Sequence, residues 1–299
     1  MIFDEKTLRK LDRLALVASQ VRAGQIKGER RSLKRGTSIE FADYRDYTRG
    51  DDLRRVDWNV YARLERPYIK LLEEEEDLAV HVLLDASRSM DYGTTSDKDG
   101  ESGNKFGYAQ RVAAALGYVA LAAGDRLTLV ALRGEAPTAQ FGPARGRGQT
   151  LRLLKFLQDQ PTAGSTNLDA ALRRYLLGPR RAGLLFLLSD LFSPAGYRDG
   201  LGLLQGRGYE VVVLHILSPD EIDPPLAGDL RLIDAETGAP QDVTLDNPLR
   251  ELYRRKINAW CRDIEAYCLK RGMHYVAVST GVDWDEMVLH HFRQRGLIK

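Results

Sequence analysis

Two apolar runs of strand length, each closed by an acid, constrain this chain most. Leu78-Ala79-Val80-His81-Val82-Leu83-Leu84 leads into Asp85, and Leu184 to Ser189 leads into Asp190. Such runs lack polar alternation, so both faces of each strand must be buried, as in a parallel sheet covered by helices on both sides. Strands read near 79–85, 126–132, 182–189, 210–217 and 274–279 alternate with helical patterns near 105–123, 149–159, 167–177, 197–206, 248–271 and 284–295. Strands separated by helices predict an α/β fold with a doubly wound, mostly parallel sheet. Residues 137–142 are expected to add a short edge strand. Leu230 to Leu245 reads as a β-hairpin insertion turning at Glu236-Thr237-Gly238.

Ahead of the sheet the pattern changes. Residues 1–24 read as an amphipathic helix with Leu8, Leu11, Ala15 and Ala18 on one face. Residues 25–40 are polar, and Arg22, Lys27, Arg30, Arg31, Lys34 and Arg35 form a basic arm. A solvated linker, a docking surface for an acidic partner and a nucleic-acid patch are the readings of that arm, in that order. Residues 41–78 are dense in charge and aromatics. Pro67 to Leu72 is expected to be an extended strand leading into the sheet, and Glu73 to Asp77 is a run of five acids. The expected division is therefore 1–78 for helix, arm and charged segment, and 79–299 for the α/β domain.

Bulk properties exclude several classes. With 43% hydrophobic residues the chain has enough apolar surface for a sizeable core. A net charge of +2 makes no demand for a nucleic-acid partner. Cys261 and Cys268 lie on one helical face about two turns apart, too far to bridge, so reduced thiols are expected. The opening Met-Ile-Phe-Asp-Glu-Lys has no apolar signal region. The apolar stretch from Val112 to Ala123 is short of the ~20 residues a membrane span requires. A cytoplasmic chain with no membrane span is the expectation.

The strand ends carry the candidate chemistry. Asp85-Ala86-Ser87-Arg88-Ser89 follows the first buried run, and in an open α/β sheet ligands bind beyond the carboxyl ends of strands. In an extended stretch Asp85, Ser87 and Ser89 face the same way. Thr166, within Gly164-Ser165-Thr166-Asn167, and Asp190 are expected to complete the cluster. Two carboxylates and three hydroxyls are hard oxygen donors suited to Mg²⁺, with Mn²⁺ or Ca²⁺ as alternatives. The structural alternative makes Ser87 or Ser89 a helix N-cap and Asp190 a loop acid. His81 and His215 fall inside strand runs and read as core or edge residues. Adjacent His290 and His291 diverge on their helix and form no ligand pair. No G-x-x-x-x-G-K-[ST] run is present, so nucleotide hydrolysis is not expected, and the glycine- and arginine-rich stretch from Gly142 to Gly148 reads as a surface turn.

Asp85-x-Ser87-x-Ser89, Thr166 and Asp190 together resemble the metal-ion-dependent adhesion site of von Willebrand factor A-like domains. Upstream, Glu40-Phe41-Ala42-Asp43-Tyr44-Arg45-Asp46-Tyr47 and Gly50-Asp51-Asp52-x-Arg54-x-Val56-Asp57-Trp58 resemble the domain-of-unknown-function-58 family, bacterial proteins often encoded beside MoxR-type AAA+ ATPases. The resemblance implies Ser87, Ser89 and Thr166 as direct ligands, with Asp85 and Asp190 acting through water or as acceptors for the hydroxyls. It leaves one coordination position for a partner's Asp or Glu carboxylate. Many members carry N-terminal membrane helices and a β-rich domain that this sequence lacks, so membrane anchoring is not carried over. Tyr44, Tyr47 and Trp58 are read first as packing residues, with Arg45, Arg54 and Arg55 paired to Asp43, Asp51, Asp52 and Asp57. The alternative is a docking surface. The functional expectation is a non-catalytic, metal-dependent interaction module serving as adaptor for a MoxR-type ATPase. Its rivals are a metal-dependent hydrolase such as a phosphoesterase, disfavoured by the lack of a bridging histidine, and a nucleic-acid binder using residues 22–35.

Overall fold

A computed structural model describes residues 39–48, 51–53, 56–74, 78–93, 104–225, 228–234 and 238–294, with residues 11, 14, 16 and 296. The chain divides into two compact units, residues 26–77 and residues 1–25 with 78–299. The expected 1–78 segment is thus split, and Leu11, Leu14 and Leu16 are buried in the core of the larger unit. Most of the expected helix over 1–24, and the basic arm, lie outside the described residues.

In the smaller unit, β1 (Ile39–Asp46) pairs antiparallel with β2 (Tyr68–Glu74). This corrects the expectation for Pro67 to Leu72. That stretch forms a separate two-stranded sheet and is not part of the central one. The short helix α1 (Trp58–Leu64) starts at Asp57, whose side chain accepts from the backbone N–H groups of Asn59 and Val60. Asp57 is therefore a helix cap. Arg45 pairs with Asp51 at 2.9 Å, as the sequence suggested. Trp58 stays 59% exposed and meets Tyr61 edge-on at 5.9 Å between ring centroids, so packing does not account for it.

The larger unit carries the six-stranded sheet. Its strands are β3 (Ala79–Asp85), β4 (Arg126–Arg133), β5 (Ala136–Ala144), β6 (Leu184–Ser189), β7 (Glu210–Leu217) and β10 (His274–Ser279). The order is β10-β7-β6-β3-β4-β5, parallel except for the antiparallel edge strand β5. Every residue of β3, β6 and β7 is buried, which explains their unbroken apolar sequences. Val80, Val82 and Leu84 share one core with α2 (Lys105–Ala122), α3 (Thr150–Gln158) and the C-terminal helical turns around Val288. Leu83, Leu185 and Leu187 share the other with α4 (Leu168–Tyr175), α5 (Arg198–Gly206) and α7 (Asn247–Lys270). Helices thus cover both faces, as in a doubly wound α/β fold.

The hairpin β8 (Gly228–Ile233) and β9 (Pro240–Leu245) is inserted between the one-turn helix α6 (Pro219–Ile222) and α7. Both cysteines lie on α7 as free thiols. His81 and His215 are buried in the sheet. Each gives one ring nitrogen to a backbone carbonyl, of Arg181 and Asp190 respectively. A carbonyl can only accept, so each Nε2 carries the hydrogen and each Nδ1 accepts from a tyrosine hydroxyl, Tyr175 or Tyr275. No described helix is long and apolar enough to cross a membrane.

Candidate metal centre

In the sheet β3 and β6 are neighbours, and the chain leaves β3 for β4 on one side but leaves β6 for β7 on the other. The crevice between their carboxyl ends is the topological switch point of the sheet. Asp85 is the last residue of β3, and Ser189 is the last of the neighbouring β6. Asp85, Ser87, Thr166 and Asp190 are all buried there, and Ser89 is half-buried.

The turn after β3 is fixed by its own acid. Asp85 Oδ1 accepts from the Ser87 N–H at 3.0 Å, while Oδ2 accepts from the Ser189 hydroxyl at 2.6 Å. Ser189 Oγ in turn accepts from the Leu191 N–H, so its hydroxyl hydrogen is committed to Asp85. Ser87 precedes the short helical turn Arg88–Met90 yet makes no side-chain cap bond. The N-cap alternative is therefore not realised. Ser87 Oγ faces Ser89 Oγ at 3.0 Å.

Thr166 comes from a different loop, laced to this turn by backbone bonds from Ala163 N–H to Ala86 O and from Arg88 N–H to Gly164 O. A bridge to Gly134 also ties Thr166 to the end of β4. Its hydroxyl oxygen is buried and has no hydrogen-bond partner. An unsatisfied buried hydroxyl costs ~1–3 kcal/mol and calls for a ligand or an ordered water.

Asp190 is no solvated loop acid. Its Oδ1 accepts from the Phe192 N–H at 3.0 Å, and its Oδ2 takes Lys105 Nζ at 2.6 Å. Leu191, between them, has φ of +58°, a conformation costly for a side-chain-bearing residue. Lys105 is fully buried and also reaches Glu221 Oε1 at 2.6 Å. Glu221 Oε2 closes a capping box with the Ser218 N–H at the start of α6.

Lys105, Glu221 and Ser189 escaped the sequence reading. Ser189 is hidden at the end of an apolar run. Lys105 carries a signal: it follows the N-cap Asn104 at the positive end of a helix dipole, where a cation needs a counter-charge.

Burial, followed by the nearby Asp190 carboxylate, pushes the Asp85 pKa up to about 6. Lys105 faces Asp190 and Glu221, and with Asp85 beside Asp190 the fully ionised cluster carries a charge of −2. A divalent cation would neutralise it. Ser87, Ser89 and Thr166 would be its hydroxyl donors, and the unpartnered Thr166 oxygen fits that role. Among the described residues no group of three His, Cys, Asp or Glu side chains is placed to hold a metal, so an ion here depends on those hydroxyls.

Comparison with known proteins adds the following. A family model described as "Protein of unknown function DUF58" matches residues 43–260. An uncharacterized protein of Mycobacterium tuberculosis, Rv1480, is 29% identical over 287 residues, covering 95% of this chain and 88% of its own. A Mycobacterium avium protein, MAV169, is 30% identical over 161 residues, covering 51% of this chain and 92% of its own. Among solved structures, BatB from Bacteroides thetaiotaomicron aligns with a TM-score of 0.41 at 13% identity, over 73% of this chain and 98% of that one. An aerotolerance-related membrane protein from Bacteroides fragilis aligns with a TM-score of 0.41 at 16% identity, over 73% and 97%.

Proposed function

The chain belongs to the DUF58 family, and we propose that it is a metal-dependent protein-interaction module of von Willebrand factor A type. In this reading Ser87, Ser89 and Thr166 hold a divalent cation, Mg²⁺ first and Mn²⁺ or Ca²⁺ as alternatives. Asp85 and Asp190 orient that shell without donating to the metal directly. The observation that carries the reading is the buried Thr166 hydroxyl with no partner, on a loop laced to the turn that carries Ser87 and Ser89.

Neutral hydroxyl ligands leave a dication's charge largely uncompensated within its own shell. The ion would therefore favour an incoming carboxylate from an Asp or Glu of a protein partner. The chain's own residues do the rest. Asp85 fixes the Ser87 backbone and Ser189, Lys105 balances Asp190 and Glu221, and Leu191 is held in its elbow by the Ser189 oxygen. The resemblance of the Glu40–Trp58 block nominates a MoxR-type AAA+ ATPase as partner, in the remodelling or maturation of other proteins inside the cell.

The test is capture of that ATPase by the immobilised chain in Mg²⁺ and in chelator. Capture should depend on Mg²⁺ and should vanish in a Ser87→Ala/Ser89→Ala variant that melts cooperatively. Capture that is unchanged by chelator and by the double substitution refutes the reading.

A further inference from the structure

No residue of β8 or β9 is buried, and Leu232 and Ile233 are 45% and 68% exposed. Two strands alone are marginal in water, and a further strand or a covering surface is what stabilises them. The register shows which face wants that cover. Leu230 stands opposite Val243 and Gly228 opposite Leu245, so Leu230, Leu232, Val243 and Leu245 share one face. Asp229 opposite Thr244 and Arg231 opposite Asp242 make the other face polar.

The two edges of the hairpin differ. The Asp234 N–H donates to the Ala239 carbonyl. By alternation the backbone groups of Leu230 and Leu232 also point to β9, and those of Asp229, Arg231 and Ile233 point outward. Among the described residues no other strand pairs with β8. On β9 the outward set includes Pro240, which has no N–H to give, so that edge is blunted. β8 is the edge open to a further strand.

The charges on β8 select that strand. Two copies of β8 laid antiparallel and centred on Leu230 place Asp229 of each opposite Arg231 of the other. Both residues turn their backbone groups outward, so each such pair exchanges backbone hydrogen bonds, and the two Leu230 side chains meet at the closer pair between them. A slip of two residues either way puts Asp229 opposite Asp229 or Arg231 opposite Arg231, which is repulsive. Leu232 of one copy falls opposite Gly228 of the other, where a Cβ position has no atom within 4 Å. Both charges have capacity left. Asp229 gives Oδ1 to the Thr244 hydroxyl and keeps Oδ2. Arg231 approaches Asp242 through Nε at 3.9 Å, both side chains being exposed, and keeps its two terminal nitrogens.

We propose that two copies of this chain associate through β8, their hairpins forming one continuous antiparallel sheet about a two-fold axis at Leu230. So short an interface belongs to the weak, transient class. It uses none of the residues of the metal edge.

The test is sedimentation equilibrium of the full chain in chelator, so that no metal takes part. Wild type should pass from monomer to dimer as concentration rises. Asp229→Arg alone and Arg231→Asp alone each set like charges opposite one another and should weaken association at least about tenfold. An equimolar mixture of the two variants restores both opposite-charge pairs and should dimerise with about the wild-type affinity. A hairpin that had merely lost its fold could not be rescued in this way. A wild-type chain that stays monomeric at millimolar concentration, a dimer that either substitution leaves unchanged, or variants that mixing does not bring together would overturn the proposal.

Discussion

Replacing Asp85 by Asn separates the cost of the buried charge from its use. In the folded chain the Asp85 pKa rises from 3.8 to about 6. The folded state therefore holds a proton that the unfolded state has lost between about pH 4 and pH 6, so this group's contribution falls as pH rises through that window. A shift of roughly two units corresponds to ~3 kcal/mol of cost near neutral pH. Asparagine keeps an oxygen for the Ser87 N–H, but its NH₂ group cannot accept from the Ser189 hydroxyl, losing ~1 kcal/mol. Asp85→Asn should thus stabilise the metal-free protein by ~2 kcal/mol at about pH 7.5, raising Tm by ~4–8 °C. That gain should vanish by about pH 4.5, where wild-type Asp85 is already protonated in the fold. With Mg²⁺ at ~100 times its Kd, wild type should gain ~2.7 kcal/mol and the variant almost nothing, so the order of stability reverses. Differential scanning calorimetry with EDTA and with Mg²⁺, at both pH values, measures all four arms. A variant that melts below wild type in EDTA at the higher pH, or that gains as much from Mg²⁺, refutes the charge argument.

Two further outcomes follow from the buried network. Lys105→Met leaves Asp190 and Glu221 buried without their counter-ion and should cost ~3–5 kcal/mol in urea unfolding; a loss below ~1 kcal/mol would show that the ammonium is not their counter-charge. Burial holds the His81 pKa down at about 4, below its usual 6.5. Its neutral form therefore contributes in full above about pH 6.5, and stability falls by roughly 3 kcal/mol as pH drops toward 4. Urea titrations across that range should show a shallower slope for His81→Gln, and an unchanged slope would place the proton uptake elsewhere.

The sheet was legible because burial on both faces leaves no polar residue to confuse the pattern. The expected spans 79–85, 210–217 and 274–279 coincide with β3, β7 and β10. The run at 182–189 starts two residues early. Gly183 lies where any Cβ would stand 2.1 Å from the Ala79 carbonyl oxygen, a close approach that composition alone does not reveal. β1 was missed because Glu40, Asp43, Arg45 and Asp46 give it the look of a solvated segment, and its register shifts between Phe41 and Asp43. That Asp85 closes β3 and Asp190 follows β6 was legible because an acid after an unbroken apolar run marks where a buried strand stops. Lys105 was not, since a lysine beside a polar loop reads as solvated. Only the fold brings it to Asp190, 85 residues on, and to Glu221, 116 residues on.

The same lysine ties the loop after β6 to the start of α6. Glu221 is held by two fixed groups, the Ser218 backbone through its capping box and the Lys105 ammonium. Asp190 is held by the Phe192 N–H and by that ammonium. Phe192 is the next residue but one after Asp190, and its ring faces Lys105. A charge added beside Asp190 would therefore act on Lys105, and through it on Glu221. Two buried groups that share one counter-ion cannot change charge independently. A cation held beside Asp190 should accordingly weaken that acid's hold on Lys105 and leave Glu221 as the chief counter-charge of the ammonium.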